Sequence, residues 1–228
     1  MANIKIVYIA TGKHYISLFD KWIRNIEFFA QEDVKNVVLL TNEDIDISIY
    51  NLDKVNITKH HIMHLPWPLT ALLKFHFIYN HIDENDDFVF YFNANYLPYQ
   101  SLNIERLNED ALYVFRSNKK CRNYKWQETN PYNEELKYVV STVVGGSYKQ
   151  MKECCEFIIA HVSKMLMKNE IEYKHDESAL NHYVVYLEKN HKPYTIMDFE
   201  DFGELDYEAH NNGDIPLHNN EVEKCVLE

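Results

Sequence analysis

The sequence predicts a single α/β domain, and three observations carry that prediction. Short apolar strands alternate with amphipathic helices through the first half and give way to mixed strands afterwards, the order expected of one sheet covered by helices. The 228 residues suit one domain with a sizeable core, and no internal repeat divides them. The third observation is the run Asp86-Asp87-Phe88-Val89-Phe90-Tyr91-Phe92-Asn93-Ala94-Asn95-Tyr96. It reads as a buried strand that presents Asn93 and Asn95 at its carboxyl edge, where open α/β sheets bind ligands.

The elements follow in order. Ile4 to Ala10 is a first buried strand, Thr11-Gly12-Lys13 a loop, and His14 to Ala30 carries helical periodicity through Ile16, Phe19, Ile23, Ile26 and Phe29. Val34 to Leu40 is a second strand, ending in a loop and helix start at Thr41-Asn42-Glu43-Asp44, and Val55 to Ile62 a third. Pro66 to Ile82 reads as a helix opened by its proline. Ala111 to Phe115 is a strand, and Tyr138 to Val144 is β-branched and ends at Gly145-Gly146. Tyr148 to Met167 is a long helix, Ala179 to Leu187 a further one capped by Asp176 or a neighbour, and Tyr194 to Met197 a last strand. The folded unit thus spans residues 1–198, with 199–228 an irregular acidic tail.

A net charge of −12 argues against general binding to nucleic acid or anionic membranes, since both need a positive field. No run approaches the ~20 apolar residues of a membrane span, and the N-terminus lacks the regions of a signal peptide. Four cysteines without zinc or disulfide spacing fit a reducing compartment, so a cytoplasmic location is expected.

Three clusters could carry chemistry. His60, His61 and His64 include an i, i+4 pair, but a strand running into Leu65-Pro66 spreads such rings apart. Arg116, Lys119, Lys120, Arg122 and Lys125 crowd one polar stretch of an acidic chain; they form either a solvated loop or a cover for a diphosphate. His175-Asp176-Glu177 sits at a predicted helix start, where the dipole favours carboxylates. Capping explains such a group, and so does a carboxylate lodged in a sugar pocket, stabilising or attacking an oxocarbenium-like centre.

Together these residues resemble the family-6 retaining glycosyltransferases, the group of the histo-blood-group A and B transferases and the α1,3-galactosyltransferases. The likeness covers roughly residues 4 to 197. His175-Asp176-Glu177-Ser178-Ala179-Leu180-Asn181 nearly repeats the family's His-Asp-Glu-Ser-His-Leu-Asn. Val143-Val144-Gly145-Gly146-Ser147 and Ile9-Ala10-Thr11-Gly12-Lys13-His14-Tyr15 resemble two further family segments. The resemblance implies a Rossmann-like, glycosyltransferase A-type fold with a mixed central sheet, in a bacterial form without the animal members' membrane anchor and stem.

It also implies roles. Ala10, Thr11 and Tyr15 would contact uridine, Trp67 would belong to the internal loop, and Lys74 would stand where the family has an arginine near the donor. Asp176 and Glu177 would be the acidic pair that holds the donor sugar, with His175 beside them in the donor site, and Glu177 would be the catalytic nucleophile or cation stabiliser. Val140, Ser141 and Thr142 would select between GalNAc and Gal. Asn93, Ala94 and Asn95 occupy the positions of the family's metal-binding Asp-x-Asp. The family's basic C-terminal segment has no counterpart in the acidic tail, which leaves Lys119, Lys120 and Arg122 to close over the diphosphate.

The asparagines set the expected mechanism. Without a metal, aspartates beside a diphosphate repel it by ~4 kcal/mol for one close pair at an effective dielectric of ~20. Asparagine removes that repulsion and offers amide donors, while its carbonyls replace anionic oxygen ligands poorly. The expectation is therefore metal-independent transfer, with no cofactor and with Lys74 and members of the basic loop carrying the compensating charge, from UDP-GalNAc or UDP-Gal to a galactoside that is fucosylated as in blood-group-like acceptors. A carbohydrate-binding protein that kept the fold and lost catalysis is the alternative.

Overall fold

The computed structural model describes residues 2–30, 33–99, 101–116, 138–172, 175–198 and 201–205. A seven-stranded sheet runs in the order β3-β2-β1-β4-β7-β6-β8. It is formed by β1 (Asn3–Ile9), β2 (Val34–Thr41), β3 (Val55–His61), β4 (Phe88–Asn93), β6 (Leu112–Arg116), β7 (Val140–Ser147) and β8 (Tyr194–Asp198). The first four are parallel, and β6 pairs parallel with β8. Only β7 opposes its neighbours β4 and β6. The sheet is therefore mixed, as the family resemblance implies.

Alternation along the strands divides the core into two layers. Phe88, Phe90 and Phe92 of β4 face one side, with Ile4, Ile6 and Tyr8 of β1, and meet α2 (Phe19–Ile26) through Phe19, Trp22, Ile23 and Ile26. Val89 and Tyr91 face the other side. There they pack with α4 (Lys74–Tyr79), α5 (Tyr148–Leu166) and α6 (Asp176–Lys189). Each fully buried aromatic or aliphatic side chain contributes about 1.5–3 kcal/mol by leaving water. Cys154 and Cys155 of α5 are buried free thiols, and burial pushes both well above their ordinary pKa.

Several elements depart from the sequence reading. The helix expected over His14 to Ala30 is two pieces, α1 (Gly12–Ser17) and α2, parted at Leu18. The one over Pro66 to Ile82 likewise becomes α3 (Leu69–Leu72) and α4, parted at Leu73. The helix start expected after Thr41 is a single 3-10 turn, Ile47–Ile49, whose cap Asp46 accepts a hydrogen bond from Ser48 N at 2.9 Å. The boundary at residue 198 also falls short. Gly203–Leu205 forms β9, antiparallel to β5 (Tyr96–Pro98), and the Phe202 ring meets Phe115 edge to face. Residues 206–228 lie outside the described residues.

The glycine pair is a correction with a packing cause. Gly145 and Gly146 do not end the strand. They sit inside β7, opposite Phe90 and Val89 of β4. A Cβ on Gly145 would stand 2.2 Å from Phe90 Cδ1, so the Phe90 ring occupies the space a side chain would need. Gly145→Ala should destabilise the fold by about 1–3 kcal/mol, the usual cost of overpacking. Urea unfolding reads this as a lowered midpoint, and the double variant with Phe90→Leu should lose less than the sum of the two single changes. Among the described residues no helix is long and apolar enough to cross a membrane.

Candidate active site

Strand direction builds the site. Three parallel strands, β2, β1 and β4, end side by side at one edge, delivering Thr41, Ala10 and Asn93 there. Because β7 runs the opposite way, its beginning lies at that same edge. The register that sets Val143 against Phe92 brings Val140, Ser141 and Thr142 beside the end of β4. The N-terminus of α6 reaches the same place through Asn181. Its Oδ1 accepts from Val139 N at 3.0 Å, and its Nδ2 donates to Val139 O and Glu177 O, both at 2.8 Å. One fully buried side chain thereby ties the first turn of the helix to the start of β7.

That tie sets Glu177 against β7. Glu177 Oε2 accepts from Ser141 N at 3.1 Å, and Oε1 accepts from the Tyr138 hydroxyl. Its carboxylate is half-buried in the first turn of a 14-residue helix, where the dipole favours negative charge. Asp176 does not cap α6. The cap position is His175, whose φ of 51° turns the chain sharply, and whose backbone N–H donates to Glu172 O at 2.9 Å. The buried His175 ring meets the half-exposed Trp67 ring at 4.9 Å, edge to face.

Asp176 instead faces Lys74. Lys74 Nζ lies 2.5 Å from Asp176 Oδ2, with both side chains 7% exposed. The same ammonium donates to Ser141 O and Ser141 Oγ, each at 3.1 Å, and sits 4.9 Å over the Tyr91 ring. Its positive charge is thus matched by a carboxylate within the protein. The pair links α4, α6 and β7 at the site floor.

Tyr91 extends this cluster to the asparagines. Burial, and then the Asp176 carboxylate nearby, push its phenol well above the ordinary value. It stays protonated and donates to Asn93 Oδ1 at 2.7 Å. With the carbonyl oxygen of Asn93 engaged, its amide Nδ2 is the group left to act as donor at the sheet edge. The Ala94 carbonyl accepts from the buried Tyr8 hydroxyl at 3.1 Å, which fixes the turn between Asn93 and the half-buried Asn95.

On the β1 side, Ala10 and Thr11 are buried, and Ala10 N donates to Leu40 O at 2.9 Å. Gly12 N donates to Asn42 Oδ1 at 2.6 Å, joining the loop after β1 to the end of β2. Tyr15 is partly buried on α1, which raises its phenol pKa. A cleft of about 300 Å³ lined by Thr41, Asn42, Glu43, Asp44, Lys59 and His61 opens beside the ends of β2 and β3.

The structure therefore brings together Lys74, Asn93, Val140, Ser141, Thr142, Asp176 and Glu177. Tyr91, Tyr138 and Asn181 are site residues that the sequence reading did not assign. Asn181 closes the quoted acidic motif, so its place there was the available signal. Lys119, Lys120, Arg122 and Lys125 lie outside the described residues. Arg116, grouped with them, is held by Asp198 through Nε at 2.5 Å and Nη2 at 3.3 Å, which ties β6 to β8. His60 and His61 are exposed at the end of β3 and His64 lies beyond it, so the i, i+4 pair is not on a helix.

No family model matches the chain. It is similar to the O-antigen biosynthesis glycosyltransferase WbnI of Escherichia coli, with 29% identity over 201 residues that cover 80% of this chain and 82% of the relative. A similarity of that extent, joined to a mixed seven-stranded sheet flanked by helices, supports a single-domain fold of the glycosyltransferase A type and, in general terms, a glycosyltransferase.

Proposed function

We infer that this chain is a retaining, metal-independent hexosyltransferase of the family-6 kind. It moves GalNAc, or Gal, from the UDP-sugar in α1,3 linkage to a galactoside that carries fucose in blood-group-like fashion. The observation that carries the reading is the Glu177 carboxylate, anchored by Ser141 N and Tyr138 at the edge where Asn93 stands. A carbohydrate-binding protein needs no fixed anion there, whereas retaining transfer needs one to meet positive charge at the anomeric carbon. The Escherichia coli relative is named for O-antigen biosynthesis, which suits an acceptor belonging to a bacterial surface glycan. Buried free thiols suit a cytoplasmic enzyme.

In this mechanism the bond from C1 of the sugar to the UDP oxygen breaks with its electron pair on UDP. The oxygen of the acceptor 3-hydroxyl then bonds to C1 with net retention, and its proton passes to the departing UDP oxygen. Asn93 Nδ2 and Asn95 offer amide donors to the diphosphate or ribose. Lys74 acts indirectly, by holding Asp176 where the sugar hydroxyls bind, with His175 beside it. Val140, Ser141 and Thr142 border the sugar, and Ala10, Thr11 and Tyr15 the uridine. GalNAc is the favoured donor.

The test is UDP release from UDP-GalNAc and UDP-Gal, with and without a fucosylated galactoside, in buffer containing EDTA. Release that depends on acceptor and is unstimulated by manganese is the expected result. Abolition by EDTA with rescue by manganese would reject metal independence, and no release from either donor under any condition would favour the binding protein.

A further inference from the structure

Apart from the residues assigned to the donor, three side chains converge where α5, the segment after it and α6 meet. His161 belongs to α5, Glu172 to the segment, and His182 to α6. Glu172 Oε2 lies 3.1 Å from His161 Nε2, and Glu172 Oε1 lies 2.9 Å from His182 Nε2. The three donor atoms fall within 4.8 Å of one another, and the two imidazole centroids are 4.6 Å apart.

We propose that His161, Glu172 and His182 form a binding site for a divalent transition ion of the zinc type, with water at the remaining position. Zinc bonds of 2.0–2.2 Å in a tetrahedral shell set neighbouring donors about 3.3 Å apart. The contacts of 2.9 and 3.1 Å and the outer limit of 4.8 Å bracket that spacing, so small side-chain adjustments admit the ion. Two imidazoles and one carboxylate select zinc-type ions over calcium or magnesium, which prefer oxygen shells.

The packing agrees with this assignment. The His161 ring stacks on Phe157 with planes 7° apart, which holds its direction. His182 is the most open of the three, its side chain 33% exposed, and leaves room for water on that side. The site would act as a staple: Glu172 O receives the His175 N–H, so an ion on Glu172 braces the turn that leads into Asp176 and Glu177. The metal site does not rest on the glycosyltransferase reading.

The probe is zinc, added to full-length protein freed of metal by a chelator. Calorimetry should find one equivalent bound and a raised Tm, and cobalt(II) in its place should show the visible absorption of four- or five-coordination. His161→Ala and His182→Ala should each weaken zinc at least about 100-fold, at or beyond the upper end of the roughly 10–100-fold loss seen when only an outer-shell partner is removed. With 12 histidines in the chain, adventitious binding is the competing outcome, so His60→Ala should leave zinc binding unchanged. No uptake by the unmodified protein, or uptake undiminished in both variants, overturns the site. If the variants fail to fold, imidazole resonances of the unmodified protein decide. Zinc must shift those of His161 and His182, and shifts confined to other histidines overturn the proposal. Zinc binding and Tm are read without donor or acceptor, so failure of this site is scored separately from failure of the transfer reaction.

Discussion

Glu177→Gln should lower kcat about 10²–10³-fold, the range seen when one electrostatic contributor to a transition state is removed, while UDP-sugar affinity stays within a few-fold. The substitution is well suited to separate charge from position. In the native site Oε2 accepts from Ser141 N and Oε1 from the Tyr138 hydroxyl. A glutamine can turn its carbonyl toward Ser141 N and its amide toward Tyr138, whose hydroxyl can accept as well as donate. Both contacts survive, so stability should change by no more than about 1 kcal/mol. What disappears is the negative charge that the proposed reaction sets against the anomeric carbon. Single-turnover rates and calorimetric UDP-sugar binding make the comparison. Equal losses in rate and affinity would mean that Glu177 only positions Ser141 and the donor. Glu177→Ala is the harsher control, since it also removes the acceptor of Ser141 N and one hydrogen-bond partner of Tyr138 and should disturb donor choice.

Much of this site can be traced in the sequence because its parts are local. The β4 strand is a short apolar run with polar residues at its end, and its burial follows from that pattern alone. The first turn of α6 carries its carboxylates next to each other in the chain. What the sequence does not display is long-range. Lys74 and Asp176 lie on different helices, and nothing in the periodicity of either announces a partner. Gly145 looks like a turn signal because glycine usually marks one, and only the Phe90 ring across the ladder explains a glycine within β7. The breaks at Leu18 and Leu73 are hidden because apolar spacing continues through both. β9 escapes because its strand exists only by pairing with β5, far upstream. His161, Glu172 and His182 follow no compact metal motif, and only the antiparallel course of α5 and α6 assembles them.

Lys74→Met should destabilise the protein by about 3–5 kcal/mol, the cost of leaving one member of a buried ion pair without its partner. Asp176 Oδ2 has its close contact with Lys74 Nζ, and both side chains are 7% exposed, so water cannot replace the lost cation. The ammonium also serves Ser141 through two hydrogen bonds, which the thioether of methionine does not reproduce. Lys74→Arg should not rescue fully, because a planar guanidinium does not fit a pocket shaped for a compact ammonium over the Tyr91 ring. Chemical denaturation of the single variants and of Lys74→Met/Asp176→Asn closes a double-mutant cycle. The double variant should be more stable than Lys74→Met alone, because removing the stranded carboxylate relieves the larger part of the penalty. Additive losses would mean that the two groups do not sense each other. The activity readout then separates two origins of positive charge. If the described pairing governs Lys74, the folded double variant loses donor-sugar binding through Asp176 but keeps its affinity for UDP itself. A parallel loss of UDP affinity would instead assign the Lys74 cation to the diphosphate.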